Sequence, residues 1–166
     1  MSNVSTSYNV YEGIMTADYR KSNNCFQFYN ANPEGYVREG DCITRAIATV
    51  LDKPWREIIV EQGNFALEKS RSFGSQVVKD LIMDKYGYVK MPEPHKSNGK
   101  KYTVEEFCLW LTRNGFRKPV LVSVNHHMTA LKIIDGRYKI FDTWDCGYMI
   151  VRGFYISADE SFRASC

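Results

Sequence analysis

The chain has 166 residues, 44% hydrophobic and 25% charged, which suits one globular domain with a full core. A net charge of +3 is too weak to imply nucleic acid or an anionic membrane as partner, and no stretch approaches the roughly eighteen apolar residues of a membrane span. The N-terminal MSNVSTSYNVYEG lacks the basic and apolar regions of a signal peptide, so a cytoplasmic location is expected. The five cysteines are odd in number and widely spaced with no CxxC, which argues against a disulfide framework and a structural zinc site. No metal and no cofactor are expected.

Residues 1–24, rich in Ser, Asn and Tyr without a clear period, read as an N-terminal arm, and 25–166 as the domain. CFQFY at 25–29 alternates as a short strand does, and 30–40 is a loop by its Asn, Pro and Gly content. In GDCITRAIATVL (40–51), Ile43, Ala46, Ile47, Val50 and Leu51 recur at the spacing of an amphipathic helix. Asp41 is a good N-cap type, which puts Cys42 in the first turn. There, unpaired N–H groups and the positive end of the helix dipole favour thiolate. Taken alone, a cysteine on a core helix is most simply a buried thiol.

Pro54 fits the opening of a second helix through Trp55, Ile58, Ile59, Phe65 and Leu67, with an interruption expected near Gly63. Val77, Val78, Leu81, Ile82 and Tyr86 mark a third, ended by Gly87, and 91–101 reads as a basic loop carrying a solvated His95. TVEE at 103–106 is a capping box for a fourth helix that closes at Asn114-Gly115 and buries Val104, Phe107, Cys108, Trp110 and Leu111. Beyond it, 119–124, 127–134, 137–145 and 148–156 are rich in β-branched and aromatic residues. Helices first and an antiparallel sheet last is an α+β plan.

Asp135-Gly136 between two such runs signals a two-residue type I′ hairpin turn. In that register Thr129 faces Asp142 and His127 faces Trp144, and all four share one face. His127 and Asp142 are then diagonal neighbours, with Cβ atoms within roughly 7–8 Å. His126 points to the other face, opposite Asp145. Both faces carry apolar residues, as in a sheet covered on both sides, so hydrophobicity does not choose between the two His–Asp pairs.

A helix opening with Asp-Cys, then a histidine leading a strand and an aspartate ending the next, resembles the papain-like cysteine peptidase superfamily. The chain is most similar to small papain-like proteins of bacteria and their phages. These carry a YNPNP-like loop, GDCxxRAI, a histidine-led strand and a YDTWD-like strand. Here YNANPEG (29–35), GDCITRAI (40–47), HMTAL (127–131) and FDTWD (141–145) match, within about residues 26–150. The resemblance implies a papain-like α+β fold, with N-terminal helices, Cys42 on the first, packed on a C-terminal antiparallel sheet. It makes Cys42 the nucleophile, His127 the base and Asp142 the group that orients the imidazole.

The glutamine that the family places about six residues before the cysteine is Tyr36 here. Gln27, Asn30 and Asn32 are the amides just upstream, and Asn32 is the expected oxyanion donor beside the Cys42 N–H. Asp41 and Trp144 are expected to adjoin bound substrate. The activity implied is cleavage of a peptide, isopeptide or related amide in a peptide or protein substrate, without a cofactor. It would act in the cytoplasm, the host's if the chain is phage-encoded. The same trio supports acyl transfer, transglutamination or deamidation, since only the acceptor differs. Without the glutamine, a non-catalytic protein that binds or sequesters a partner is the remaining alternative.

Overall fold

The computed structural model describes residues 24–37 and 39–165, so the expected arm lies outside the described residues except for its last position. In chain order the elements are β1 (Phe26–Phe28), α1 (Cys42–Leu51), α2 (Trp55–Lys69), α3 (Gln76–Lys85), β2 (Tyr88–Met91), α4 (Val104–Arg113), β3 (Val120–Val124), β4 (His127–Ile134), β5 (Arg137–Asp142) and β6 (Gly153–Ser157), followed by a 3-10 helix, Ala158–Ser165. The α+β plan is observed. None of these helices is long and apolar enough to cross a membrane.

The sheet is mixed rather than wholly antiparallel, which corrects the expectation. Its order is β1-β5-β4-β3-β6-β2, and β1 runs parallel to β5, with Phe26 opposite Ile140 and Phe28 opposite Asp142. All four helices lie between these two strands in the chain, and a long crossover of this kind is what parallel pairing requires. The other four pairings are antiparallel.

Alternation along the strands divides the core in two. Val120, Val122, Leu131, Ile140, Phe154 and Ile156 pack with Phe107 and Leu111 of α4. Leu121, Met128, Ala130 and Tyr155 pack on the opposite face with Ile47 and Val50 of α1, Ile58 of α2, and Val78 and Ile82 of α3. A sheet covered by helices on both faces has apolar residues at both parities, which is why hydrophobicity left the histidine undecided.

Locally coded features hold well. Asp135 (φ 53°) and Gly136 (φ 78°) form the two-residue turn, and the β4–β5 ladder runs from Ile134 opposite Arg137 to Ala130 opposite Phe141, in the expected register. The capping box is complete: Thr103 Oγ1 accepts from Glu106 N at 3.2 Å, and Glu106 Oε2 accepts from Thr103 N at 2.9 Å. Thr103→Ala is expected to cost about 1 kcal/mol in urea unfolding; an unchanged midpoint would mean the cap contributes nothing.

Four boundaries differ from expectation. Strand β5 ends at Asp142 rather than 145, so Trp144 lies beyond the β4–β5 ladder, which stops at Ala130 opposite Phe141. Helix α2 passes through Gly63 without a break, since a glycine lowers helix propensity without blocking the ladder. The short strand β2 forms at the sheet edge on β6, where the sequence suggested only a helix end and a loop. The last strand starts at Gly153, because the segment before it turns back to cap α4: Gly147 O accepts from Glu105 N at 3.0 Å and Met149 O from Val104 N at 2.9 Å. Those two N–H groups have no partner within their own helix.

Candidate active site

Cys42 is the first residue of α1, as expected, but Asp41 does not cap the helix with its side chain. Its Oδ2 accepts from Trp55 Nε1 at 2.9 Å and Asn32 Nδ2 at 3.1 Å, while Oδ1 pairs with Arg45 one turn along. A guanidinium and two N–H donors hold the carboxylate more strongly than backbone amides would, which corrects the N-cap expectation. The first-turn N–H groups beside Cys42 therefore have no cap from Asp41. Asn32 is committed to the same cluster: its Oδ1 accepts from Glu34 N at 2.9 Å, and its Nδ2 bonds Asp41. The structure joins Asn32 and Asp41 to each other, and the N–H of Cys42 is the donor that lies at the sulfur's own residue.

His127 opens β4 and Asp142 closes β5. Their side chains are 8% and 5% exposed, and His127 Nε2 lies 2.6 Å from Asp142 Oδ2. Asp142 is held from three sides. Tyr29 N donates to its backbone O at 2.9 Å just beyond β1, Thr143 N donates to its Oδ1 at 2.7 Å, and Arg45 Nη2 stands 3.9 Å from that oxygen. With Nε2 turned to the carboxylate, Nδ1 is the ring nitrogen left for the Cys42 thiol, which interacts with this imidazole. His126 lies exposed in the β3–β4 turn with φ 55°, not on the strand, so the competing pair with Asp145 loses its strand position.

Burial opposes the Cys42 thiolate, but the hydrogen bond and charge of His127, the Met128 N–H and the Arg45 guanidinium outweigh it, holding the thiol below its ordinary 9.0. Burial likewise opposes the His127 imidazolium. The Asp142 carboxylate reverses this, helped by contacts with Cys146 and Cys42, and the ring titrates well above 6.5. Asp142 is buried too, yet His127 and Arg45 keep it below 3.8. The arrangement favours a thiolate and an imidazolium backed by an ionised carboxylate. The other described thiols go the opposite way: burial and Glu105 push Cys25 up to about 11, and burial raises Cys108 and Cys146.

Trp144 lies against the imidazole, with ring centroids 4.8 Å apart, and Tyr148 extends this aromatic wall. A cleft of about 290 Å³ opens beside Cys42 and His127. A larger cleft of about 500 Å³, between Met91, Glu93, Tyr102 and Trp110, is also lined by His95 and Ser97. His95 pairs with Glu93 at 3.2 Å but lies exposed to solvent, and among the described residues no hydrogen bond joins it to the Ser97 hydroxyl, so chemistry rather than size identifies the site.

Among the described residues one trio, His127, Asp142 and Cys146, has ligand-type atoms within 4.8 Å of one another. Two of its members already bond each other through Nε2 and Oδ2, and burial keeps the Cys146 thiol protonated. A cation there would have to displace two protons.

Sequence reasoning missed Arg45, Lys79 and Cys146. Arg45 had a readable signal: it stands four residues after Asp41, the spacing of a helical ion pair, yet in a run that is otherwise mostly buried. Lys79 and Cys146 reach the site only through tertiary packing. The chain matches no protein-family profile, no curated protein and no solved structure.

Proposed function

We propose that this chain is a papain-like thiol hydrolase that cleaves a peptide, isopeptide or related amide bond of a peptide or protein substrate. The observation that carries the reading is the His127–Asp142 bond of 2.6 Å next to a helix-opening Cys42 whose thiol is held below its ordinary pKa. The Cys42 sulfur attacks the carbonyl carbon, and the displaced electron pair rests on the oxygen, where the Cys42 N–H can receive it. His127 passes its proton to the departing amine as the C–N bond breaks. Water, deprotonated by His127, then attacks the thioester and releases the acid, and the sulfur leaves as thiolate. Asp142 keeps the ring oriented and supports its positive charge. An amine in place of water makes the same intermediate a transferase step. Free thiols suit a cytoplasmic site of action, that of a host if the chain is phage-encoded.

Iodoacetamide labelling near pH 6 with peptide mapping tests the thiolate directly. Both thiols are partly exposed and Cys42 is the more deeply buried, so faster labelling of Cys42 reports activation rather than access. Cys42 is expected to react at least about tenfold faster than Cys25, with the rate falling as pH drops through its depressed pKa. The fast-labelled peptide should vanish in Cys42→Ala. Equal rates at the two cysteines would overturn the reading.

A further inference from the structure

The cleft beside Cys42 is also lined by Lys79 of α3, with Ser123 and His126 from the β3–β4 end. Among the described residues no acidic side chain lines it. Lys53, Lys69, Lys85, Lys96, Lys101 and Lys118 each meet a carboxylate, whereas among the described residues Lys79, Lys90, Lys100, Lys132 and Lys139 form no ion pair. Of these five, Lys79 is the one that lines the cleft beside Cys42. Its neighbour Asp80 is directed elsewhere, accepting from Gln76 Nε2 at 2.7 Å and the Tyr155 hydroxyl at 2.5 Å.

We infer that the cleft takes a substrate bearing a carboxylate close to the carbonyl that Cys42 attacks, with Lys79 as its counter-charge. The inference rests on Cys42 being the nucleophile. Lys79 is half-buried; burial and the nearby Lys90 both work against its charge, and Asp80 and Cys42 only partly offset them. A cation kept partly desolvated without an internal partner gains most from an anion that arrives with the ligand. The Ser123 hydroxyl and the exposed His126 ring can add hydrogen bonds to that anion. At about 290 Å³ the space lies at the small end of ligand pockets, so it suits a short peptide segment. The carboxylate belongs to an acidic side chain or to a chain terminus.

Three alkylating probes separate these sources: chloroacetyl-glycine carries a terminal carboxylate, chloroacetyl-aspartic α-amide a side-chain one, and chloroacetyl-glycinamide none. Each is displaced at its chloride by the Cys42 sulfur, and rates are read by peptide mapping. At low salt at least one carboxylate probe should label Cys42 about fivefold faster than the neutral probe, as a single charge contact predicts. The faster of the two identifies the source. The preference should shrink with added salt, persist in Lys79→Arg and disappear in Lys79→Met. A ratio near one in the wild-type chain, or one that Lys79→Met leaves intact, would overturn the inference. Failure of the nucleophile itself reads differently: all three probes would then label Cys42 no faster than Cys25.

Discussion

Asp142→Ala should slow Cys42 alkylation near pH 6 by about tenfold, the factor that one unit of lost thiolate stabilisation is worth. The carboxylate does two things for the imidazole: it fixes Nε2 by a 2.6 Å bond, and its charge is the main cause that lifts the ring's pKa against burial. Without it the imidazolium loses its support, and with it the charge that draws down the Cys42 thiol. Removing one member of a buried ion pair should also cost about 3–5 kcal/mol of stability. The sign of the pH dependence follows from the two shifts. Asp142 is depressed below 3.8, so its contribution is present above that value and is lost as pH falls through the lower folded pKa. His127 is raised above 6.5, so its contribution is full below 6.5 and is lost as pH rises through the higher folded pKa. Wild type and variant should therefore differ most between these limits and converge towards strong acid. Asp142→Asn keeps the shape but is also expected to be impaired. Thr143 N–H and Arg45 draw its oxygen to the Oδ1 side, which turns its NH2 group onto Nε2 and imposes the wrong tautomer. A folded Asp142→Ala protein that labels at the wild-type rate would show that this carboxylate does not serve the imidazole.

Arg45→Met should cost about 3–5 kcal/mol in urea unfolding at neutral pH, although no part of Arg45 is expected to touch substrate. Its guanidinium is 8% exposed and stands between two carboxylates, paired with Asp41 and 3.9 Å from Asp142, with Thr143 Oγ1 at 3.5 Å. Methionine keeps the apolar stem and removes the charge. Asp41 would be left with Trp55 and Asn32, and Asp142 with His127, Thr129 and the Thr143 N–H. The Cys42 thiol should titrate higher as well, since Arg45 is among the causes that lower it. Stability and labelling would thus decline together in Arg45→Met. A variant as stable as wild type would mean that Asp41 and Asp142 find their counter-charge elsewhere.

The candidate site was legible where neighbours in sequence are neighbours in space. Asp135-Gly136 dictates a tight turn by its tolerance of positive φ, and that turn alone sets which residues of β4 and β5 lie opposite one another. The 3.6-residue period around Cys42 placed it on a helix opening, and TVEE announced its capping box. Asp41 shows where local rules stop. As an N-cap type it had one predictable use, but Arg45, Trp55 and Asn32 all reach it once the chain has folded, and charge-assisted bonds prevail over a backbone cap. Asn32, the expected oxyanion donor by its position upstream of Cys42, has its amide engaged in the same cluster.

By itself, then, the sequence determined the helices and the hairpin register, which put His127 and Asp142 on one face as one of two His–Asp candidates, because periodicity and turn chemistry act over a few residues. Only the tertiary structure decided that β1 runs parallel beside β5 and holds Asp142 from its backbone, that Arg45 links the helix carboxylate to the strand carboxylate, and that Lys79 shares a cleft with Cys42. Each of these joins segments far apart in the chain. Such contacts are selected by the burial of two core faces and by the search of buried charges for partners, and neither has a period that can be read along the sequence.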